Sequence, residues 1–344
     1  MLWRLFLSVP GIGRVKRVID DLFQRLKNLE NTFYLFEYRV DQIYRNVVTA
    51  LMANQAPVLD LNSVLKPGNI LSLRDVLTQE TEAVRLSGRE LENEPDARFS
   101  EPLTAADKTY LAENRRRFQI TLDMLSSLRQ IKGDFAAVFD LATCPVYQPG
   151  LRACLPTSKL ILIGAGGGDS SSLQASGDVD WVPGFDLETA AIPLPDGSID
   201  LVLCLGILEH LISDPMHVLS EINRILKMGG TLLLSTPNLA SWKAAVSILT
   251  GDSPLSYSKF SKAREVGSMP IREWTPNEIE VLFKAAGFDP MLTTQNAYHA
   301  ATPETISGIF RAVGVSNNYS GDTIFALGTK SSEVIDRYPS QFYD

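Results

Sequence analysis

The sequence is poor in the residues that build covalent or metal-based cross-links. It has three cysteines and three histidines among 344 residues. An odd number of cysteines beside apolar runs argues against a disulfide framework and favours a reducing cytoplasm; they are Cys144, Cys154 and Cys204. No histidine has a partner at the spacing of a zinc site, so we expect no metal; the histidines are His210, His217 and His299.

The chain also lacks an excess of positive charge and any long apolar run. Its formal net charge is −8, which argues against a nucleic acid as the main partner. No stretch approaches the roughly 20 apolar residues that cross a bilayer. The opening "MLWRLFLSVPGIGRVKRV" carries its basic cluster after the apolar residues, the reverse of a signal peptide. The same stretch leaves a weak contact with a membrane surface as an expectation.

The first part of the chain has a heptad pattern. Apolar residues recur at steps of three and four from Ile12 to Val47, which predicts a long amphipathic helix within residues 1–53 and self-association through a coiled coil. The alternative is a single helix that lies on the rest of its own chain, because Phe23 and Tyr34 widen the apolar stripe. Residues 54–104 are rich in Pro, Asn and acids, and we interpret them as a connector with short helices.

Residues 105–344 alternate apolar runs with helical stretches, the pattern of βαβ units. Seven runs are typical of strands: 135–141, 159–164, 179–185, 199–206, 230–236, 291–298 and 322–330. The predicted fold class is therefore α/β, with a seven-stranded doubly wound, Rossmann-like sheet behind the N-terminal helix.

Two helices of this region have clear start signals. In 214–230, Asp214 can cap the helix, Pro215 suits the first turn and Gly229 is expected to end it. In the other, Thr275 and Glu278 form the pattern of a capping box.

A family resemblance appears in "PLPDGSIDLVLCLGILEHLISDPMHVLSEINRILKMGGTLLLSTPN" (193–238). This stretch is similar to the second half of class I S-adenosylmethionine-dependent methyltransferases, and residues 272–288 resemble their segment before the sixth strand. The resemblance extends most closely to bacterial members associated with surface-polysaccharide genes. It implies S-adenosylmethionine as the cofactor and methyl transfer to a hydroxyl of a glycan or another small acceptor.

The glycine-rich "LILIGAGGGD" (160–169) raises a choice between two registers. If it were the family's first strand and cofactor loop, Leu162 would stand where an acid belongs, and one βα unit would be missing before Asp186. If "VFDLATCP" (138–145) is the first strand and loop, Asp140 is the acid and each following interval holds one strand. We prefer the second register, because loop lengths in α/β units are constrained.

In that register the resemblance implies a cofactor site at the ends of the first four strands. Its members are Asp140, Ala142, Thr143, Cys144, Gly164, Gly166, Asp186, Leu187, Leu205 and Glu209. Asp186 resembles the acid that binds the adenine amino group, although it could instead cap its own loop. Leu187 and Leu205 would form walls of the cofactor site. Glu209 is expected beside the cofactor or as a brace.

The candidate catalytic base is His210, just past the end of the fourth strand. An imidazole with an ordinary pKa near 6.5 can accept the proton of an acceptor hydroxyl. The alternative is that the Glu-His pair only braces its loop. His217 is expected to be half-buried structure.

An insertion at about 239–272 is expected to form a lid over the acceptor. It combines aromatic and cationic side chains: Trp242, Tyr257, Lys259, Lys262, Arg264 and Arg272. Two departures from the family, Ala142 and Gly164, keep a rival hypothesis open, in which the chain is a catalytically degenerate scaffold for binding or assembly.

Overall fold

The computed structural model describes residues 99, 105–141, 145–163, 179–255, 270–298, 302, 306–308, 310 and 319–343. The predicted coiled coil, the membrane-surface contact and nearly all of the connector lie outside these residues. In the described ranges no helix is long and apolar enough to cross a membrane.

The chain divides into two compact units. One comprises residues 1–76 and 303–317; of these the structure describes 306–308 and 310, which are helical, with Ile306 and Phe310 buried. The other unit comprises residues 77–302 and 318–344 and contains the sheet.

The described residues of the larger unit form a seven-stranded sheet in the order β3-β2-β1-β4-β5-β7-β6. The strands are β1 (Ala137–Asp140), β2 (Lys159–Ile163), β3 (Val179–Val182), β4 (Ile199–Leu205), β5 (Leu226–Pro237), β6 (Phe288–Gln295) and β7 (Thr323–Lys330). The first five strands are parallel, and β7 runs antiparallel to both of its neighbours, so the sheet is mixed. The predicted Rossmann-like α/β sheet is confirmed.

The position of β1 decides between the two registers. Val138 pairs with Leu160 of β2 on one side and with Leu201 of β4 on the other, so β1 is a central strand. The register that made "LILIG" the first strand is wrong, because Leu160–Ile163 belongs to β2. β1 is short but wholly apolar before Asp140, as a strand covered on both faces must be.

Helices cover both faces of the sheet. They are α1 (Ala105–Lys132), α2 (Gln148–Cys154), α3 (Pro215–Ile225), α4 (Trp242–Thr250) and α5 (Pro276–Ala285). Apolar residues of α1 and α2 pack on one face, among them Phe118 and Leu151 against Val138. Residues of α3 and α5 pack on the other, among them Ile222 and Leu282.

The predicted starts of α3 and α5 are confirmed, but the predicted end of α3 is wrong. Asp214 caps α3 by accepting from the His217 N–H, and Thr275 and Glu278 form the complete capping box of α5. However, α3 ends at Ile225 and not at Gly229, because β5 begins at Leu226, which pairs with Ile199. Gly229 lies inside β5 with a positive φ.

Candidate functional site

The candidate site lies at the edge where the parallel strands end. β1 leads outward through β2 and β3, while β4 and β5 extend in the other direction, so the connections diverge between β1 and β4. In open α/β sheets such a divergence leaves a crevice that binds ligands. The ends of β1, β4 and β5 bring Asp140, Gly206 and Thr236 to this edge.

Asp140 ends β1 and is fully buried. The hydroxyl of Tyr147 donates to its Oδ2 over 2.9 Å. Tyr147 lies in a short 3₁₀ turn (Pro145–Tyr147) before α2, and its ring stacks on Phe118 of α1 at 4.9 Å between centroids. Asp140 is thus a fixed acceptor at the point where β1 gives way to the next loop. Tyr147 was not predicted, because the spacing of the sequence gives no signal for it.

The backbone turns sharply at Gly206, directly after β4. Its φ of 69° is in the left-handed region that favours glycine. A Cβ at this position would lie 2.5 Å from an Arg117 guanidinium nitrogen and 3.5 Å from Glu209 Oε1. The absence of a side chain therefore lets Arg117 of α1 reach the end of β4. Arg117 also donates to the Tyr110 hydroxyl over 3.2 Å.

Glu209 is a buried carboxylate beside this turn. It belongs to a 3₁₀ turn (Leu208–His210), and Thr236 of β5 donates to its Oε2 over 3.0 Å. Burial raises the pKa of Glu209, and the nearby His210 and Arg117 offset part of that rise. Its backbone carbonyl accepts from the N–H groups of Ile271 and Arg272 at 2.7 and 3.2 Å. These contacts are those of a brace; contact with a cofactor stays a prediction.

His210, the predicted base, is half-buried at the same edge. Its backbone N–H donates to the Ile207 carbonyl over 2.9 Å. Its Nδ1 is buried, and it has no hydrogen-bond partner in the described structure. A buried ring nitrogen without a partner is uncommon in folded proteins and points to a functional or ligand-bound role.

Asp186 lies in the loop after β3 and is exposed. Its Oδ1 accepts from the Glu188 N–H at 2.9 Å, and its Oδ2 accepts from the Thr189 hydroxyl at 2.7 Å. The hydrogen bond from Thr189 and then that from Glu188 lower the pKa of Asp186. Asp186 therefore caps its own loop, yet each oxygen keeps a lone pair toward solvent. The predicted adenine contact stays a prediction.

Two of the predicted cofactor contacts are apolar residues whose contact with a cofactor stays a prediction, and five others cannot be placed. Leu205 is buried at the end of β4, and Leu187 packs partly buried against the core. The predicted loop and glycine positions lie outside the described residues: Ala142, Thr143, Cys144, Gly164 and Gly166. The same holds for four predicted lid side chains and one histidine, namely Tyr257, Lys259, Lys262, Arg264 and His299.

The two lid residues that the structure describes are engaged within the fold. Trp242 is buried at the start of α4, and its Nε1 donates to Asn296, so the prediction that this ring serves an acceptor from the lid is wrong. Arg272 lies over the Trp274 ring and forms an ion pair with Glu278. His217 is half-buried with its Nε2 3.1 Å from the Ala190 carbonyl, as predicted.

A depression of about 430 Å³ lies elsewhere, between α1 and α2. Its lining includes Arg129, Asp134 and Cys154, which lie just before β1 and β2 begin. It therefore opens at the edge opposite to the crevice. The Cys154 thiol in it lies 3.2 Å from the Ser126 hydroxyl, and Cys154 and Cys204 are free thiols.

A family model described as "Methyltransferase domain" matches residues 171–234. This range contains β3, β4, α3 and most of β5. A protein of Mycolicibacterium smegmatis named "Probable S-adenosylmethionine-dependent methyltransferase" is 32% identical over 114 residues, which are 33% of this chain and 37% of that protein. A protein of Mycobacterium tuberculosis with the same description is 32% identical over 101 residues, 29% of this chain and 30% of that protein.

A solved S-adenosylmethionine-dependent methyltransferase from Archaeoglobus fulgidus aligns with 64% of this chain and 99% of its own at 15% identity and a TM-score of 0.43. The chain spans between about a third and a half of the length of the curated relatives it matches. Residues 171–234 of this chain are thus similar to a methyltransferase domain, and a stretch of it is similar to parts of proteins named as probable S-adenosylmethionine-dependent methyltransferases.

Proposed function

We propose that the chain transfers a methyl group from S-adenosylmethionine to a hydroxyl of a glycan or another small acceptor. The observation that carries the proposal is the meeting of Asp140, Gly206 and Glu209 at the crevice between β1 and β4. The match to a methyltransferase family model and the names of the relatives support S-adenosylmethionine as the cofactor.

The residues at the crevice suit the polar ends of this cofactor. Gly206 leaves the space that a side chain would fill, and Arg117 places a guanidinium group there. The buried hydroxyl of Ser235, next to Gly206 in β5, has no hydrogen-bond partner in the described structure. A guanidinium group binds a carboxylate through charge-assisted hydrogen bonds, so we assign Arg117 to the cofactor carboxylate. Asp186 and Leu187 would hold the adenosine end.

When bound, S-adenosylmethionine supplies an electrophilic methyl group. The protein's contribution to such a displacement is alignment of the two reactants and, for a hydroxyl acceptor, removal of its proton. His210 Nδ1 has no hydrogen-bond partner in the described structure, and it is the atom that we assign to receive this proton. Glu209 holds the turn that carries His210, through Thr236 and through its backbone carbonyl.

A calorimetric titration of the full chain with S-adenosylhomocysteine and S-adenosylmethionine tests the proposal. Arg117→Met is expected to weaken binding by roughly 10- to 100-fold, because a hydrogen bond to a charged group is lost. The matched control is Arg116→Met, since Arg116 is the exposed neighbour on α1. If neither compound at millimolar concentration gives a heat of binding or raises the unfolding temperature, the methyltransferase proposal is contradicted. That result would favour the hypothesis of a catalytically degenerate scaffold.

The finer expectations are part of the proposal. We propose a cytoplasmic enzyme that acts on a surface polysaccharide or its precursor and is held in a homo-oligomer by residues 1–53. Transfer of a labelled methyl group to hydroxylated sugars, and not to their fully O-methylated counterparts, tests the acceptor class. A smaller oligomer after removal of residues 1–53, measured by light scattering, tests the coiled coil.

A further inference from the structure

The segment after β7 returns to the candidate site. This post-β7 segment (residues 331–343) leaves the sheet beside Gly287, and the N–H groups of Ile335 and Asp336 then donate to the Ala285 carbonyl at the end of α5. It goes on to Asp214, the residue that caps α3 at the opposite edge of the sheet. The segment therefore crosses the helical layer from the strand starts to the crevice.

The post-β7 segment holds the far end of the turn that carries His210. Both guanidinium NH2 groups of Arg337 donate to the carboxylate of Asp214, at 3.0 and 2.5 Å. The Tyr343 hydroxyl donates to Asp214 Oδ1 over 2.5 Å and accepts from the Met216 N–H over 3.2 Å. Asp214 follows His210 by four residues, so this anchor fixes where the loop joins α3.

The same segment also reaches the near end of that turn. The Phe342 ring lies edge-on to Trp274, with centroids 6.0 Å apart, and the Trp274 Nε1 donates to the Leu208 carbonyl over 3.3 Å. Arg272 lies over both rings, with its guanidinium carbon 4.2 Å from the Trp274 centroid and 5.4 Å from that of Phe342. The Arg272 N–H in turn donates to the Glu209 carbonyl.

We propose that Phe342 and Tyr343 are positioning residues, which hold residues 208–214 at both ends in the arrangement that the cofactor site requires. This inference rests on the proposed function, since the positioned residues are Glu209 and His210. A cation over an aromatic ring is attracted to its face, and the two anchors act on one short loop. The loop is thereby shaped before any ligand binds, which lowers the entropic cost of binding.

Amide hydrogen exchange of the full chain without ligand tests the positioning directly. In Phe342→Ala, peptides covering 270–275 are expected to exchange about tenfold faster, because the N–H groups of Ile271 and Arg272 lose their hold on Glu209. A peptide covering β1 should not change. The affinity for S-adenosylhomocysteine should fall by about tenfold, and Phe342→Tyr should restore both values, since the ring is kept.

Ile335→Ala is the matched control, because Ile335 lies in the same segment and is 72% exposed. It should leave exchange and affinity unchanged. Tyr343→Phe removes one hydroxyl and is expected to speed exchange at 211–217 alone, which keeps the test decisive if Phe342→Ala does not fold.

Unchanged exchange at 270–275 in a folded Phe342→Ala protein would overturn the inference, as would faster exchange with unaltered affinity. Failure of the proposed function has a different signature. In that case neither the unaltered chain nor any of its variants binds S-adenosylhomocysteine. The exchange rates still show whether Phe342 holds the loop.

Discussion

The two loops that flank the crevice are held in different ways. The β4 loop (206–214) is fixed by neighbours distant in sequence: Arg117, Thr236, Trp274 and Tyr343. The β3 loop (183–190) is shaped mainly by its own turn, in which Asp186 accepts from Glu188 and Thr189. The β3 loop also supports the β4 loop, because Glu188 accepts from the N–H groups of Ile212 and Ser213 at 2.8 and 2.5 Å.

This difference separates stability from recognition. A loop held by the core changes shape only at a cost to the whole fold, so its residues are precisely placed. A loop built from its own hydrogen bonds can change a side chain at little cost. We therefore expect substitutions of the core residues that hold the β4 loop to lower stability, with or without a loss of affinity, and those in the β3 loop to change ligand affinity at little cost in stability.

The largest expected effect is a loss of stability when a core residue that holds the β4 loop is replaced. Trp274→Ala should lower the free energy of unfolding by about 3–5 kcal/mol, because a buried indole is replaced by a cavity. Trp181→Ala in β3 is the counterpart on the other side and should cost clearly less, since Trp181 is half-buried at the sheet edge. Urea unfolding measures both, and equal losses would contradict the expectation that the residues packed against the β4 loop matter more for stability than the β3 edge of the sheet.

Asp186→Ala is expected to lower ligand affinity and to leave stability nearly unchanged. Affinity for S-adenosylhomocysteine should fall by about tenfold or more, because the proposed acceptor of the adenine amino group is lost, while the unfolding temperature stays within about 2 °C. Asp180→Ala removes the exposed carboxylate of β3 that pairs with Lys159, and should leave affinity unchanged. Calorimetry and thermal unfolding compare them; an Asp186→Ala protein with full affinity would refute the adenine assignment.

Asp214 should make the β4 side sensitive to acid. Burial alone would raise its pKa, but the hydrogen bonds from Arg337, Tyr343 and the His217 N–H lower it to about 2. A carboxyl whose pKa is lowered in the folded state contributes stability above its unfolded pKa near 3.9, and that contribution is lost as the pH falls toward 2.

Asp214→Asn keeps the helix cap and removes the ion pair with Arg337. It should cost about 1 kcal/mol at pH 6, since the pair is partly exposed, and nothing near pH 2. Unfolding by urea across this range measures the difference, and a cost that does not depend on pH would contradict the assigned cause.

The smallest expected effect concerns Glu209. Its pKa is raised in the folded state by burial, so its ionisation weakens the fold as the pH rises above the unfolded value near 4.3. Glu209→Gln keeps an acceptor for Thr236 and should gain about 2 °C in unfolding temperature relative to the unaltered protein between pH 4 and pH 8. A relative loss over that range would show that Arg117 and His210 outweigh burial.

Much of the sheet could be predicted because its signals are local. Apolar runs between turn residues marked each strand, and counting one strand per interval placed Asp140 at the end of β1. The capping box at Thr275 is likewise written within four residues. The end of α3 could not be found in this way, because Leu226 suits a buried helix and a buried strand equally; pairing with Ile199 decides it.

The site was less predictable because its contacts join distant parts of the chain. Arg117 is one of three consecutive arginines on a long helix, and the pattern does not say which of them reaches Gly206. Phe342 lies far along the chain from Arg272 and belongs to no motif. Trp242 was misjudged, although Leu239, Ala244 and Val246 around it are apolar and buried, a sign of a core position.

The place of β7 has a consequence for how the chain folds as it is synthesised. β7 lies between β5 and β6, and β6 pairs with β7 alone in the described sheet. Until residues 323–330 have left the ribosome, β6 has no partner and β5 exposes one edge. Unpaired strand edges invite association with other chains. Nascent chains that stall before Thr323 should therefore be the form of this protein most prone to aggregate and most dependent on chaperones.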